Sequence, residues 1–156
     1  MTPRWVRLGS FVLALAALAV STYLTIAHFT TAKILACAGS GTIDCTRVTT
    51  SAQSRFLGMP VAVLGLGWSI AMVALCAPAA WRARVPWIRV ARLALACAGI
   101  AFVLWLVYAE LFVIRAICLW CTAVHVLTFM LFVLIVVFGW AVEDDGDEVE
   151  AAGPRG

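Results

Sequence analysis

Charge is what this 156-residue chain has least of. Only 12% of its residues are charged, against roughly a quarter in soluble proteins, and its mean hydropathy is +1.06. That scarcity excludes a disordered chain, a cytosolic enzyme and a nucleic-acid binder. Acidic residues are rarer still outside one run: six of the eight lie between Glu143 and Glu150. The first 142 residues hold only Asp44 and Glu110 against ten Lys and Arg. No haem, flavin or nucleotide motif is present, and no internal repeat. What is present is apolar: 65% of the chain is hydrophobic, the composition of an integral membrane protein. One span takes about 20 residues, so the length suits four spans with short loops and no second soluble domain.

The spans are expected at about 8–29, 59–80, 90–114 and 118–140 of a membrane domain covering residues 1–142, with 143–156 an acidic, disordered cytoplasmic tail. The first apolar run is too long for a signal-peptide core and is read as an uncleaved span. Between spans one and two lies a polar loop from Thr30 to Gly58. There Gly39-Ser40-Gly41 reads as a turn, and Val48 to Phe56 as a short capping helix begun at Thr46 or Ser51. Gly65 and Gly67 would let helices approach closely. Arg115-Ala116-Ile117 is a very short turn between spans three and four. Six cations sit at the N-terminus and in the 81–92 loop, against Lys33, Arg47, Arg55 and Arg115 on the other side. Positive residues favour the cytoplasm. Both termini are therefore expected there, in a multi-pass membrane protein whose loop cysteines face outward.

The six cysteines carry the chemistry. Cys118-Leu119-Trp120-Cys121 is a C-x-x-C at the start of the fourth span. Two sulfurs one helical turn apart can close and reopen a disulfide, and a helix N-terminus favours thiolate, most strongly at Cys118. Cys37 and Cys45 form a second pair, C-x7-C, in the loop on the same side. Two pairs there make a thiol relay that needs an electron sink, and the apolar two-electron acceptor of a bilayer is a quinone. Static disulfides or a four-cysteine zinc site are the other uses for these sulfurs. Cys76 and Cys97, inside spans two and three, read as small buried hydrophobes or as the inner stations of a metal carrier.

Here the sequence resembles bacterial homologues of vitamin K epoxide reductase. The resemblance rests on Cys37-Ala-Gly-Ser-Gly-Thr-Ile-Asp-Cys45, on Ser51 six residues on, and on Phe56-Leu-Gly58-Met-Pro60. It is completed by Tyr108-Ala-Glu-Leu-Phe-Val-Ile-Arg-Ala-Ile-Cys118-Leu-Trp-Cys121-Thr, and it covers roughly residues 8–140. It implies an all-α integral membrane fold: a four-helix bundle around a quinone pocket, with a reactive extracytoplasmic loop and a short capping helix. It implies a thiol:quinone oxidoreductase that drives disulfide formation in secreted proteins. Cys121 faces the quinone, Cys118 exchanges with the loop pair through Cys45, Cys37 faces the partner, and Ser51 lies near the pocket. The implied partner is a thioredoxin-like thiol oxidase. Many relatives carry it fused at the C-terminus, and here it is expected to act in trans. The quinone is of menaquinone, ubiquinone or vitamin K type, with no metal. The animal members' asparagine near the start of span two has no counterpart among Ser54 to Pro60, and His125 replaces their tyrosine four residues after the C-x-x-C. Quinone reduction rather than epoxide reduction is therefore expected.

Other candidates come from placement. Glu110 is the one acid inside a span, a functional candidate by default or else an interfacial partner of Arg115. His125 lies one turn past Cys121, positioned to bond a quinone carbonyl or give it a proton, or to be satisfied between helices. Phe56, Met59, Phe112 and Trp120 suit either a pocket wall or membrane-interface anchors. Three rival functions remain open: the other bacterial quinone-linked disulfide oxidase family, whose cysteine pairs run in the opposite order, a thiolate metal carrier, and a scaffold indifferent to Cys118 and Cys121.

Overall fold

A computed structural model describes residues 3–30, 37, 42–83 and 85–140, the last three as backbone alone. The Gly39–Gly41 turn, Lys33, Arg84 and the acidic tail fall outside the described residues. The fold is an all-α membrane bundle. The helices α1 (Arg4–Thr30), α2 (Cys45–Thr49), α3 (Val61–Cys76), α4 (Pro78–Arg82), α5 (Pro86–Tyr108) and α6 (Leu119–Val133) follow in chain order. Wider π-type turns extend α5 over Ala109–Ile114 and α6 over Leu134–Trp140. Three stretches are long and apolar enough to cross a membrane: Arg4–Thr30, Pro86–Ile114 and Leu119–Val137. The shorter apolar helix Val61–Cys76 stands beside them.

The bundle is built on small residues. Along α1 the buried positions are Val6, Ser10, Ala14, Ala17, Ser21, Leu24 and Ala27, a stripe at helical spacing that packs against α3 and α6. Small and hydroxylated side chains let membrane helices approach and bond to one another. Ser21 and Ser69 share a hydrogen bond of 3.2 Å, and the Thr25 hydroxyl donates to the Ala62 carbonyl at 3.1 Å. Large apolar side chains such as Val12, Ile26, Leu104 and Phe129 point outward, as a lipid-facing surface requires.

The second span departs from the expected 59–80. Pro78 has no N–H to donate and forces the residue before it out of helix; Ala77 is accordingly non-helical, with ψ 140°. The helix ends at Cys76, and α4 begins anew with Pro78 in its first turn. Arg92 covers the break, its Nε donating to the Leu75 carbonyl at 3.0 Å and its guanidinium lying 3.5 Å from the Trp81 ring centre. The third span also starts earlier than Val90, because Pro86 suits a first helical turn and α5 opens on it. Arg89 and Arg92 therefore belong to the helix, not to a loop.

The loop is organised differently from the expected Val48–Phe56 helix. Asp44 caps α2, accepting a bond from the Arg47 N–H at 2.9 Å, so the helix begins at Cys45. Ser51 heads a separate 3-10 turn, Ala52–Ser54. A two-residue hairpin follows, with Arg55 opposite Pro60 and Phe56 opposite Met59. Its turn, Leu57-Gly58, has positive φ at both residues, 51° and 84°, the conformation tight hairpins use.

Candidate functional site

Three backbone features bring the loop to the C-x-x-C. After Ile114 the chain reverses through Arg115 in the left-handed region, φ 54°, and the Ala116 N–H bonds the Glu110 carbonyl at 3.2 Å. The segment after that reversal pairs with the loop: Ile43 bridges Ile117, with Asp44 N–H to Ile117 carbonyl at 3.1 Å and Ile117 N–H to Thr42 carbonyl at 3.0 Å. Asp44 then starts α2 beside that bridge, and Cys45 is its first residue. In consequence Cys45, 1% exposed, and Cys118, fully buried, share one core cluster with Leu24, Val48 and Ile114, against which Cys37 and Cys121 also pack.

The two pairs differ in oxidation state. Cys37 and Cys45 are joined by a disulfide, Cα to Cα 6.1 Å, whereas Cys118 and Cys121 are free thiols. Cys118 is the N-cap of α6, and its Sγ accepts a bond from the Cys121 N–H at 3.3 Å. The Cys118 thiol, just before the span, is held below its ordinary value, first by the hydrogen bond from the Cys121 side chain; burial opposes this. A thiolate there is the attacking and leaving species that disulfide exchange needs.

Cys121 opens on a cavity of about 460 Å³ enclosed by α1, α3, α5, α6 and the loop. Its α6 wall is Cys121, Val124, His125 and Thr128. Across from it stand Trp68 of α3 and Gly99, Phe102 and Val103 of α5, while Ser51 and Phe56 close the loop end. Phe56 packs edge-on to Phe102 and Trp105, at 5.5 and 5.7 Å. The Ser51 hydroxyl donates to the Val48 carbonyl at 2.7 Å, which leaves it only acceptor capacity toward a ligand. Glu110 lines the same cavity. It is 7% exposed, whereas Arg115 is exposed, so the interfacial pairing of the two is not what this fold builds.

Of the residues singled out in the sequence, Cys121, Ser51, Phe56, Met59, Glu110 and His125 meet at this cavity. Cys37, Cys45 and Cys118 lie outside its lining, and two of the aromatic candidates do not reach it. Trp120 turns to α1 and packs on Tyr23, ring centres 4.7 Å apart. Phe112 is 67% exposed and stacks on Tyr108 on the outer face, because its position on the widened turn points away from the bundle. Cys76 is buried and Cys97 exposed. Among the described residues no three His, Cys, Asp or Glu side chains cluster as a metal ion would require.

Sequence reasoning passed over Trp68, Gly99, Phe102 and Thr128. The last carried a signal: Cys121, His125 and Thr128 recur at helical spacing on one face. The tight glycine is also not the expected one. A Cβ on Gly65 would meet only Ser21 Oγ at 3.8 Å, and one on Gly67 nothing within 4 Å. One on Gly99 would lie 2.6 Å from the Trp68 ring. Gly99 thus makes room for the indole, whose Nε1 donates to the Leu95 carbonyl at 2.9 Å.

A buried C-x-x-C dithiol, a disulfide against it and an apolar cavity, all within a membrane bundle, define a membrane thiol–disulfide oxidoreductase. Residues 9–136 match the model of the vitamin K epoxide reductase family, and the chain belongs to that family. No curated protein matches the sequence.

Proposed function

We propose that the protein oxidises a thioredoxin-like thiol protein on the extracytoplasmic side and passes the electrons to a membrane quinone. The observation that carries this reading is the division of the C-x-x-C: Cys118 is buried in the same core cluster as the loop cysteine Cys45, while Cys121 opens on the cavity. One sulfur thus meets the loop and the other meets the ligand space. The cavity fits a quinone head group in kind and size: it is largely apolar, has an aromatic wall, and its volume falls in the range of small-molecule sites, roughly 300–1,000 Å³. A bound quinone supplies a two-electron acceptor.

The residues divide the work as follows. Cys37 exchanges with the partner, and the reduced loop pair delivers its electrons through Cys45 to Cys118. A low-pKa Cys118 thiolate is the better leaving group when Cys37 resolves a Cys45–Cys118 intermediate. Phe56, Phe102 and Trp68 exclude water and hold an aromatic ring against Cys121. His125, which lines the cavity and is 8% exposed, bonds a quinone oxygen in this reading. Positive residues at the start of α1 and across α4 and α5 support cytoplasmic placement of that end, with the cysteine pairs outside.

Anaerobic quinone reduction by the protein in lipid nanodiscs, with a dithiol donor, tests the reading. Wild type should turn over, and Cys118→Ser and Cys121→Ser should fall to the uncatalysed background. Turnover that survives in either variant, or an inactive wild type, removes the proposal.

A further inference from the structure

A buried carboxyl inside a membrane span is costly, and when retained it usually serves a proton or ion path. Glu110 is such a group, and a relay of bare sulfurs does not account for it. It lies at the widened end of α5, 7% exposed, and lines the cavity that Cys121 and His125 also line. The αL turn at Arg115 folds the chain back so that the Cys118 backbone N–H bonds the Glu110 carboxyl group, whose charge, when it ionises, acts on both the Cys118 and Cys121 sulfurs. The groups around it are few. From α6 there are Cys118, Cys121 and His125, from α2 the disulfide-bonded Cys45, and from α1 His28 at the cavity edge; α3 presents no titratable side chain to the cavity. Among the described residues no cation acts on it.

Thiol oxidation by a quinone moves protons as well as electrons. Two S–H bonds break, one S–S bond forms, and two O–H bonds form on the quinol. We infer that Glu110 is the proton carrier of this site, holding one of those two protons beside Cys118 and releasing it into the cavity as the Cys118–Cys121 disulfide closes. In the reduced site Cys118 is a thiolate, Cys121 keeps its S–H, and the Glu110 carboxyl carries the proton that Cys118 gave up. On oxidation Cys118 bonds to Cys121 and the electron pair leaves to the quinone. The Cys121 proton passes to one quinone oxygen by way of His125, and the Glu110 proton to the other. Glu110 is left as carboxylate. When the loop dithiol next reduces the disulfide, its two protons restore Cys121 S–H and the Glu110 carboxyl, and the cycle balances.

The inference rests on the quinone-reduction reading, so its test has one arm without quinone. Reduced-minus-oxidised infrared difference spectra of the quinone-free protein should show a carboxyl C=O band present only in the dithiol state. That band should vanish in Glu110→Gln and persist, shifted, in Glu110→Asp. Gln keeps an acceptor for the Cys118 N–H and removes only the titrating proton. In the second arm, Glu110→Gln should slow quinone reduction by about 10²-fold, the usual worth of a positioned acid–base group, and lose one limb of the pH–rate profile. Glu110→Asp should recover part of the loss. A wild type without the band, or a band that survives in Glu110→Gln, overturns the proton role. So does an active wild type whose rate and pH profile Glu110→Gln leaves unchanged. A wild type that reduces no quinone overturns the functional reading, and proton delivery falls with it.

Discussion

Cys118 caps α6 and is buried with Cys45, while Cys121, one turn on, faces the cavity. That difference comes from the N-cap conformation: Cys118 is extended, at φ −100° and ψ 115°, so its side chain lies before the helix instead of on its cavity face. If Cys45 and Cys118 are the exchanging pair, a protein stripped of their usual partners should join them. In a Cys37→Ser/Cys121→Ser double variant, mild oxidation should yield a Cys45–Cys118 disulfide, read by non-reducing digestion and mass spectrometry. Two alkylatable thiols after oxidation would mean that the loop and the C-x-x-C do not exchange through these sulfurs. Much at this scale was legible in the sequence, because spacing alone put Cys118 at a helix start and His125 one turn beyond Cys121. Phe112 and Trp120 were not, since aromatic character says nothing of which way a widened turn or a first helical turn points them.

Elements were legible where one local rule governed them. Apolar runs located all four bundle helices, and the short turn at Arg115 followed from the nearness of the third span to the C-x-x-C. Boundaries failed where a single residue overrode the run: Pro78 cut α3 short, and Pro86 started α5 early. The loop failed for a longer-range reason. Asp44 became the cap of α2 beside the pairing of Ile43 with Ile117, a contact between distant segments that no local pattern announces. Packing between α3 and α5 hinges on Gly99, and it is testable. Gly99→Ala places a Cβ 2.6 Å from the Trp68 ring, and overpacking of this kind costs about 1–3 kcal/mol. The variant should unfold earlier in detergent and bind quinone more weakly as the indole shifts, with Trp68→Leu in the same background restoring stability. Unchanged unfolding and unchanged quinone KM for Gly99→Ala would show that the indole has room to spare.

At the scale of the whole molecule, the bundle separates a lipid-facing apolar exterior from an interior with a chemical axis. The loop disulfide lies at one end, the C-x-x-C next to it, and the cavity beyond. At the opposite end Arg92 seals the break between α3 and α4 against Trp81. This end holds Cys76 but no second thiol pair, since Cys97 is exposed. The fold class could be read from composition, and the sulfurs from their spacing. The cavity could not, because it is assembled from four helices and a loop whose facing residues lie far apart in sequence, such as Ser51, Trp68, Phe102 and His125.

The central claim is that electrons leave through the Cys118–Cys121 dithiol into a quinone, and a single turnover tests it most directly. Protein reduced in full, freed of reductant and mixed anaerobically with excess quinone in nanodiscs would be followed by quinol absorbance. Rapid acid quench and thiol mass labelling would be run in parallel. The account predicts that the first equivalent of quinol appears together with loss of the Cys118 and Cys121 thiols, one disulfide per quinol, with Cys37 and Cys45 oxidised only afterwards. Quinol formation while Cys118 and Cys121 remain reduced, or oxidation of the loop pair first, would contradict it.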